Sequence, residues 1–297
     1  MIYLYSKELV RRTAILAGTA ALAGWLTAST PALADALDSD GRQSEAAVDR
    51  QRQVDLAEAQ HAAARLENMR MEELTNSGMP LVDATALVEA EQRRAAEVMR
   101  QHIMRLQLDG MTLEQIAAAT PDMIVVTSDD GIGVSSGGED MTLQKASISF
   151  AMQCSCYTVS SGWSRNVTLE SGKDVVGIRL TKSVSNNMGG SIVYCRSASS
   201  CNFVGYPPGL SWEEPAGVAH SFNTNGLAGG SHHGTISFSY KGSLGSVQPY
   251  THYRHAWTTV SITGVGISTS GISVSWTYND NAWSKQTAGI FAPVARL

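Results

Sequence analysis

The feature that most constrains the fold is an alternation of apolar and polar residues in the second half of the chain. A period of two predicts strands with one buried face. The Ser and Thr residues that lie between many of the apolar ones predict a solvated opposite face. The alternating apolar or cysteine positions are Ala146, Ile148, Phe150, Met152, Cys154, Cys156, Val176, Ile178, Leu180, Ile236, Phe238, Tyr240, Val260, Ile262, Ile272, Val274, Trp276 and Tyr278.

Segments rich in Gly, Ser and Asn separate these strands, and no helical pattern lies between them. Parallel strands need long crossover connections, usually helices, so the sheets are predicted to be antiparallel. About seven to nine short strands are predicted, and this number favours a jelly-roll-like sandwich over a closed barrel. Just before them, two β-rich runs flank Asp130-Gly131 and predict a hairpin at that dipeptide.

The preceding part of the chain has a helical composition. Between about residues 44 and 74 there is neither Gly nor Pro, and Ala, Glu, Gln and Arg predominate. After the short break TNSGMP, a second helix is predicted over about 82–106, which favours an antiparallel helical hairpin. Thr112 and Gln115 have the spacing of a capping box that begins a short third helix. The apolar stripe of the second helix consists of Val88, Ala95, Met99, Ile103 and Leu106.

The beginning of the chain has the parts of a secretory signal peptide. Basic residues precede an apolar run of 15 residues, Thr13 to Thr27, and Ala32 and Ala34 have the spacing of a cleavage site. Because a membrane span needs about 20 apolar residues, no transmembrane segment is expected after signal cleavage. We therefore expect a secreted, extracellular α+β protein with segregated halves. Its parts are a signal peptide (1–34), an acidic helical segment (35–122), a Gly-rich hairpin or linker (123–142) and a disulfide-linked antiparallel β-sandwich (143–297).

The two halves of the mature chain carry opposite charge. Residues 35–142 contain nine Arg, no Lys and twenty-one acidic side chains, a net charge of −12, whereas residues 143–297 have a net charge of +5. Opposite charges favour docking of the halves. The helical segment is then either a pro-segment or a permanent stalk that could also mediate oligomerisation. The total charge of −5 gives no reason to expect a nucleic-acid partner.

All four cysteines lie in the β half: Cys154, Cys156, Cys195 and Cys201. An even number in an exported protein favours two disulfides. Cys154 and Cys156 would project from the same face of a straight strand, which is a poor geometry for a mutual bond. We therefore expect each of them to bond a cysteine of the 195–201 segment. A zinc site of four cysteines is the alternative, although their spacings do not match the usual ligand pairs.

Five of the seven histidines lie between residues 220 and 255. If His220, His252 and His255 converged, they could hold a metal ion, and Asp280 or Glu213 could complete a hydrolytic site. Residues three apart on a strand point to opposite faces, however, and acidic partners are scarce in this half. No G-x-S-x-G sequence is present for acyl transfer. The sequence therefore favours a non-enzymatic protein without a cofactor.

Several aromatic residues lie in turn-like segments and are the predicted ligand-binding residues. Exposed aromatic rings can stack on sugar faces or form a protein interface. We therefore expect a glycan or a cell-envelope surface as the partner. These residues are Trp163, Trp212, Trp283, Tyr206, Tyr250 and Tyr253.

The main functional hypothesis is a secreted, non-enzymatic binding or surface-interaction protein whose sandwich recognises glycan or cell envelope through loop aromatics. The first alternative is a secreted hydrolase, with or without a metal ion, that uses the histidines between residues 220 and 255. The second is a secreted effector or toxin that the helical segment inhibits.

Overall fold

The computed structural model describes residues 45–127, 132–133, 141–167, 173–184, 186–197, 200–205, 211–223, 230–242, 247–256, 262–277 and 282–287. The predicted signal peptide lies outside these residues. Residues 1–51 and 52–297 form two compact units, and all contacts that position the site lie within the second. The predicted boundaries at residues 34, 122 and 142 stay predictions.

The fold is α+β, with helices followed by antiparallel sheets, as predicted. In chain order the elements are α1 (Glu45–Asn76), α2 (Leu81–Leu108), α3 (Leu113–Ala119), β1 (Met123–Thr127), β2 (Ile132–Gly133), β3 (Met141–Gln144), β4 (Ser147–Ala151), β5 (Cys156–Val167), β6 (Lys173–Leu180), β7 (Asn186–Ser197), β8 (Ser200–Gly205), β9 (Ser211–Glu214), β10 (Gly217–Asn223), β11 (Gly230–Lys241), β12 (Pro249–Ala256), β13 (Ile262–Ile267), β14 (Ile272–Trp276) and β15 (Ala282–Gln286).

Most of the predicted helix ends agree with the structure to within two residues. Residues Leu74, Ala84 and Val88 pack α1 against α2 and form the predicted hairpin. The predicted capping box is present at the start of α3, where Thr112 and Gln115 bond each other reciprocally. None of the described helices combines the length and the apolarity that a bilayer span requires.

Two sheets form the sandwich. The first has the strand order β1-β4-β5-β11-β7-β8, and β3 also pairs with β5 and with β2. The second has the order β15-β12-β6-β10-β9. The dipeptide Asp130-Gly131, where a hairpin is predicted, lies outside the described residues. Among the described residues on either side of it, β1 pairs with β4 and β2 pairs with β3.

The main core lies between the sheets, contains many of the predicted alternating residues and is completed by Leu56, Ala59 and Ala63 of α1. It includes Val176, Ile178 and Leu180 of β6 and Ile236 and Phe238 of β11, all of them fully buried. The hairpin β13–β14 covers the other face of the second sheet. There the absence of a side chain at Gly177 is required, because a Cβ atom would lie 2.5 Å from Cδ1 of Ile272.

The outer face of the first sheet is not solvated, contrary to the prediction. Helix α2 packs on β11, β7 and β5, and the hydroxyl side chains of that face are buried. They include Ser149, Thr158, Ser160, Ser191, Thr235, Ser237 and Ser239, each at most 2% exposed. Polarity alone could not show this burial, because the helix supplies hydrogen-bond partners for two of the hydroxyls, Ser160 and Ser191. The side chain of Arg100, for example, donates to Ser191 Oγ at 3.3 Å.

The predicted disulfide pairing is wrong. Cys154 bonds Cys156, and Cys195 bonds Cys201, so both bonds are local. The prediction assumed a straight strand through residues 154–156. Instead a 3₁₀ turn ends at Cys154, and Ser155 has a left-handed conformation with φ of 49°. The chain therefore reverses between the two cysteines and brings their side chains together. No free cysteine remains, so the oxidised chain offers no thiolates for the four-cysteine zinc alternative.

Candidate functional site

A polar cleft lies on the outer face of the first sheet, at the point where α2 ends. It consists of two neighbouring cavities of about 260 and 130 Å³ between the α2–α3 connection and strands β3, β4, β5 and β11. Gln107 and Gln144 line both cavities. The other polar side chains of the cleft are those of Thr112, Thr142, Lys145, Ser147, Ser160, Ser161, Ser164, His233 and Thr235.

The cleft exists because the helix stops there. Gln107 lies in the last turn of α2, which ends at Leu108 and is followed by Asp109 as its C-cap. The capping box at Thr112 then starts α3, so the chain leaves the direction of α2. The part of the sheet beyond Gln107 is therefore not covered by α2, and its hydroxyl groups line the cleft instead.

Gln144 is held at the edge of the cleft by two features of β5. Ser161 Oγ donates to the backbone oxygen of Gln144 at 2.8 Å, at the position where β5 changes partner from β4 to β3. The amide of Gln144 lies over Gly162, where a Cβ atom would be only 2.3 Å from Oε1. A glycine at position 162 is therefore needed for the amide to reach the cleft.

Gln107 supplies the most informative atom of the cleft. Its Nε2 donates to Ser160 Oγ at 3.2 Å. Its Oε1 is buried and accepts no hydrogen bond from the described residues. A buried carbonyl oxygen without a donor costs about 1–3 kcal/mol. A ligand that donates a hydrogen bond to this oxygen would remove that cost.

The charge of the cleft is neutral to positive. Lys145 and His233 are the ionisable residues that line it, and its lining in the described part of the chain includes no carboxylate. Acid–base catalysis by a pair of carboxylates therefore has no basis in this cleft. Its side chains are hydroxyls and amides, which suit recognition by hydrogen bonds.

The three histidines predicted to share a metal do not converge. His220 is opposite Val176 and shares its face, which is the inner face of the second sheet. His252 is opposite Gly177 on the outer face, where Arg179 Nε donates to its Nε2 at 3.0 Å. Side chains on opposite faces of one sheet cannot bind one ion. The metal prediction therefore fails for this set.

Two of these histidines are also held neutral. Burial lowers the pKa of His220 to about 4, and the Arg100 guanidinium contributes in the same direction. Burial lowers the pKa of His252 to about 3, with a further contribution from Arg179. Both imidazoles are therefore uncharged at pH 7. Desolvation alone accounts for most of this behaviour, without any catalytic role.

His255 belongs to a buried ionic cluster that joins the two sheets. Its Nδ1 lies 2.5 Å from Asp174 Oδ1, and Arg165 Nη1 lies 3.6 Å from the same oxygen. All three side chains are at most 1% exposed. Burial raises the pKa of the neighbouring Tyr253 well above its ordinary value. A histidine–carboxylate pair enclosed in this way links the sheets but is not open to a substrate.

The other acidic residues proposed for a hydrolytic site give no additional support. Asp280 lies outside the described residues. Glu213 is exposed on the edge strand β9. Within the described residues, the hydrolase alternative therefore has no accessible combination of the predicted histidines and acids.

Two of the predicted binding aromatics are core residues, which corrects the sequence prediction. Trp163 is 3% exposed and stacks on Phe222 with ring centroids 5.2 Å apart, and Tyr253 is fully buried. The sequence around Trp163 resembles a turn because it contains Ser161 and Gly162. Those small residues instead lie within the long strand β5, where they accommodate Gln144.

The remaining predicted aromatics differ in their surroundings. Trp212 is half-buried and packs against the β13–β14 layer. Tyr250 is also half-buried, with the Arg179 guanidinium 4.1 Å from its ring centroid. Tyr206 and the side chain of Trp283 lie outside the described residues. A binding role for these four aromatics stays a prediction.

Sequence reasoning missed the polar cleft, because its residues come from four strands and a helix end. The alternation of hydroxyl residues along β5 and β11 was visible, but it predicted a solvated face. Gln107 and Gln144 carry no motif that distinguishes them from ordinary surface glutamines. Only the pairing of β5 with β3 and β11 brings together the residues that surround these two glutamines.

Neither a family model nor a curated protein matches the chain. Among solved structures, the pilus backbone RrgB from Streptococcus pneumoniae is similar with a TM-score of 0.26 and 8% identity, over 47% of this chain and 44% of that chain. A structure concerning adhesion of Streptococcus parasanguinis by Fap1 fimbriae has a TM-score of 0.27 and 14% identity, over 58% and 96%. The collagen-binding domain of Erysipelothrix rhusiopathiae surface protein RspB has a TM-score of 0.21 and 7% identity, over 57% and 89%. The chain thus spans less than half of RrgB, and similarities this weak carry no argument about function.

Proposed function

We propose that this chain is an exported, non-enzymatic binding protein that recognises a hydroxyl-rich ligand in the polar cleft. The ligand class is a glycan, such as one of a cell envelope. The observation that supports this most strongly is Gln107 Oε1, a buried acceptor to which none of the described residues donates, in a cleft of hydroxyls and amides. Sugar hydroxyls can donate to such an oxygen and accept from neighbouring Ser and Thr groups at the same time.

The size of the cleft limits what it can hold. Typical small-molecule pockets measure about 300–1,000 Å³, and the larger cavity, of about 260 Å³, is slightly smaller. It would therefore hold one sugar unit rather than a whole oligosaccharide. The neighbouring cavity of about 130 Å³ shares Gln107 and Gln144 and would contact the next unit.

Export is part of the proposal. The two disulfides are typical of proteins that fold in an oxidising compartment. This agrees with the secretory signal predicted over residues 1–34. Secretion with signal removal remains the finer prediction, to be checked by the mass of the exported chain.

The proposal assigns the helical segment a permanent role. Its α2 supplies Gln107 to the cleft and contacts the sheet through Arg100, which donates to Met188 O at 3.3 Å. Glu67 of α1 binds Lys241 of β11 at 2.7 Å. Release of the segment would remove one wall of the cleft, so a retained segment fits a binding protein better than an inhibitory pro-segment does.

The test is binding of the mature chain to purified cell-wall glycan and to a panel of neutral oligosaccharides. Gln107→Leu removes the orphan acceptor and is expected to weaken binding by up to about tenfold, because one hydrogen bond contributes about 0.5–1.5 kcal/mol. The matched control is Gln101→Leu, which changes a half-buried glutamine on the same helix whose Nε2 donates to Glu97. Affinity is to be measured by isothermal titration calorimetry.

Binding that is equal in both glutamine variants would contradict the cleft as the site. Loss of binding in Trp212→Ala with normal binding in Gln107→Leu would place recognition on the aromatics instead. If the mature chain binds neither purified cell-wall glycan nor any oligosaccharide of the panel, the proposed function is wrong.

A further inference from the structure

A histidine and the second disulfide form a row across three neighbouring strands at the far end of the polar cleft. His233 of β11 is directly opposite Cys195 of β7, which is directly opposite Cys201 of β8. Directly opposite residues project from the same face of a sheet. This is the outer face, since Ser191 of the same strand accepts from Arg100 of α2 there.

The three side chains converge closely. One ring nitrogen of His233 and the two sulfur atoms all lie within 4.8 Å of one another. Two thiolates and one imidazole are a ligand set that Zn²⁺ accepts, with a fourth position left for water. At a tetrahedral ion with Zn–S distances of about 2.3 Å, two thiolates lie about 3.8 Å apart. Once the disulfide is opened, the sulfurs need only a small displacement to reach that separation.

The burial of the three residues gives the site a closed side and an open side. Cys195 is fully buried, His233 is half-buried and lines the cleft, and Cys201 is exposed. Because Cys201 is exposed, an attacking thiolate can approach the disulfide from its side. The same open side allows an ion and its water ligand to enter.

We propose that reduction of the Cys195–Cys201 disulfide converts this row into a Zn²⁺ site with two thiolate ligands and the His233 imidazole. A dithiol reductant delivers two electrons and two protons to the disulfide and becomes a cyclic disulfide itself. Zn²⁺ then displaces the two thiol protons, which pass to solvent. The oxidised protein lacks the thiolates, so the redox state of this disulfide controls metal binding.

This inference is independent of the proposed glycan binding. It differs from a four-cysteine site, because Cys154 and Cys156 form their own disulfide in another cluster beneath α2. That second pair provides the matched control, since its removal leaves the proposed ligands intact.

The experiment compares the oxidised mature chain with the chain reduced by a phosphine and then separated from it without oxygen. Bound Zn²⁺ is measured by elemental mass spectrometry, and Co²⁺ substitution reports thiolate ligands by their charge-transfer absorption. We expect one Zn²⁺ per reduced chain and no stoichiometric Zn²⁺ in the oxidised chain. The Cys154→Ser/Cys156→Ser variant should retain the ion, and Cys195→Ser should lose it.

The His233→Gln variant tests the imidazole ligand without altering either disulfide. Loss of an outer-shell partner already costs about 10–100-fold in metal affinity, so loss of a direct ligand should weaken Zn²⁺ binding by at least about tenfold. Unchanged affinity in this variant, or Zn²⁺ retained by Cys195→Ser, would overturn the proposal. So would a reduced chain that loses its β-sheet circular dichroism or binds no Zn²⁺.

Discussion

The first sheet is buried on both faces, but the two faces are buried by opposite chemistry. Its inner face presents Tyr157, Val159, Ile236, Phe238 and Tyr240 to an apolar core that it shares with the second sheet and with α1. Its outer face presents Thr158, Ser160, Ser191, Ser237 and Ser239 to the helices. All ten residues are at most 2% exposed.

The difference shows what each kind of face requires from the element that packs against it. The inner face is stabilised by the apolar area removed from water, which requires shape complementarity but no specific partner. Burial of the outer face costs free energy wherever a hydroxyl loses water without gaining a hydrogen-bond partner. Helix α2 supplies such partners through Arg100 and Gln107, and Thr158 and Ser239 bond each other at 2.9 Å. Where α2 ends, the same hydroxyl-rich face becomes the polar cleft.

The largest expected effect is on the inner face. Trp163→Ala removes a buried ring that stacks on Phe222, and such truncations cost about 3–5 kcal/mol of unfolding free energy. Urea unfolding followed by circular dichroism measures this loss. Trp212→Ala, at a half-buried ring, is the control and should cost clearly less. Equal losses in the two variants would show that Trp163 is not a core residue.

The next effect tests a polar residue placed on an inner face. His220 faces the core, and its pKa is lowered from 6.5 to about 4 by burial. Between these values the unfolded chain binds a proton that the folded chain does not, so stability falls as the pH falls. This histidine should contribute a loss of about 3 kcal/mol between pH 7 and pH 4.

Urea unfolding at several pH values checks this loss in the wild type and in His220→Gln. The variant should show a shallower dependence on pH, because its side chain does not titrate. His61→Gln, at an exposed position on α1, should follow the wild type. The same slope in His220→Gln as in the wild type would mean that other groups cause the acid sensitivity.

The smallest effect is the difference in unfolding free energy between variants of two hydroxyl residues that lie directly opposite each other on the outer face. Ser160 accepts from Gln107, whereas Ser237 Oγ is buried without a hydrogen-bond partner in the described residues. Ser160→Ala should therefore cost about 1 kcal/mol. Ser237→Ala should leave the unfolding free energy unchanged or raise it slightly. Thermal unfolding of both variants measures this, and a larger loss for Ser237→Ala would show that its hydroxyl is bonded.

The strands and helices were predictable because their patterns are local. The alternation Val176, Ile178, Leu180 predicted the inner face of β6, and the stripe containing Met99 and Ile103 predicted the buried face of α2. The candidate site was not predictable in this way. Gln107 and Gln144 are 37 positions apart in the sequence, and only strand pairing and the end of α2 bring them to one cleft.

The errors have a common physical origin in single residues. Ser155 adopts a left-handed conformation, so Cys154 and Cys156 bond each other instead of the 195–201 segment. Gly162 and Ser161 are small because they accommodate Gln144, so Trp163 lies in a strand rather than in a turn. Neither feature is visible in a pattern of apolar and polar residues.

The sequence by itself determined which segments form helices and strands and which face of each strand is apolar, because backbone geometry and side-chain alternation act over a few residues. Tertiary structure alone decided that the hydroxyl face of the first sheet is covered by α2, where the cover stops, and which cysteines and histidines meet. These outcomes depend on long-range packing, in which hydroxyls of a buried polar face find hydrogen-bond partners in α2 and in neighbouring strands.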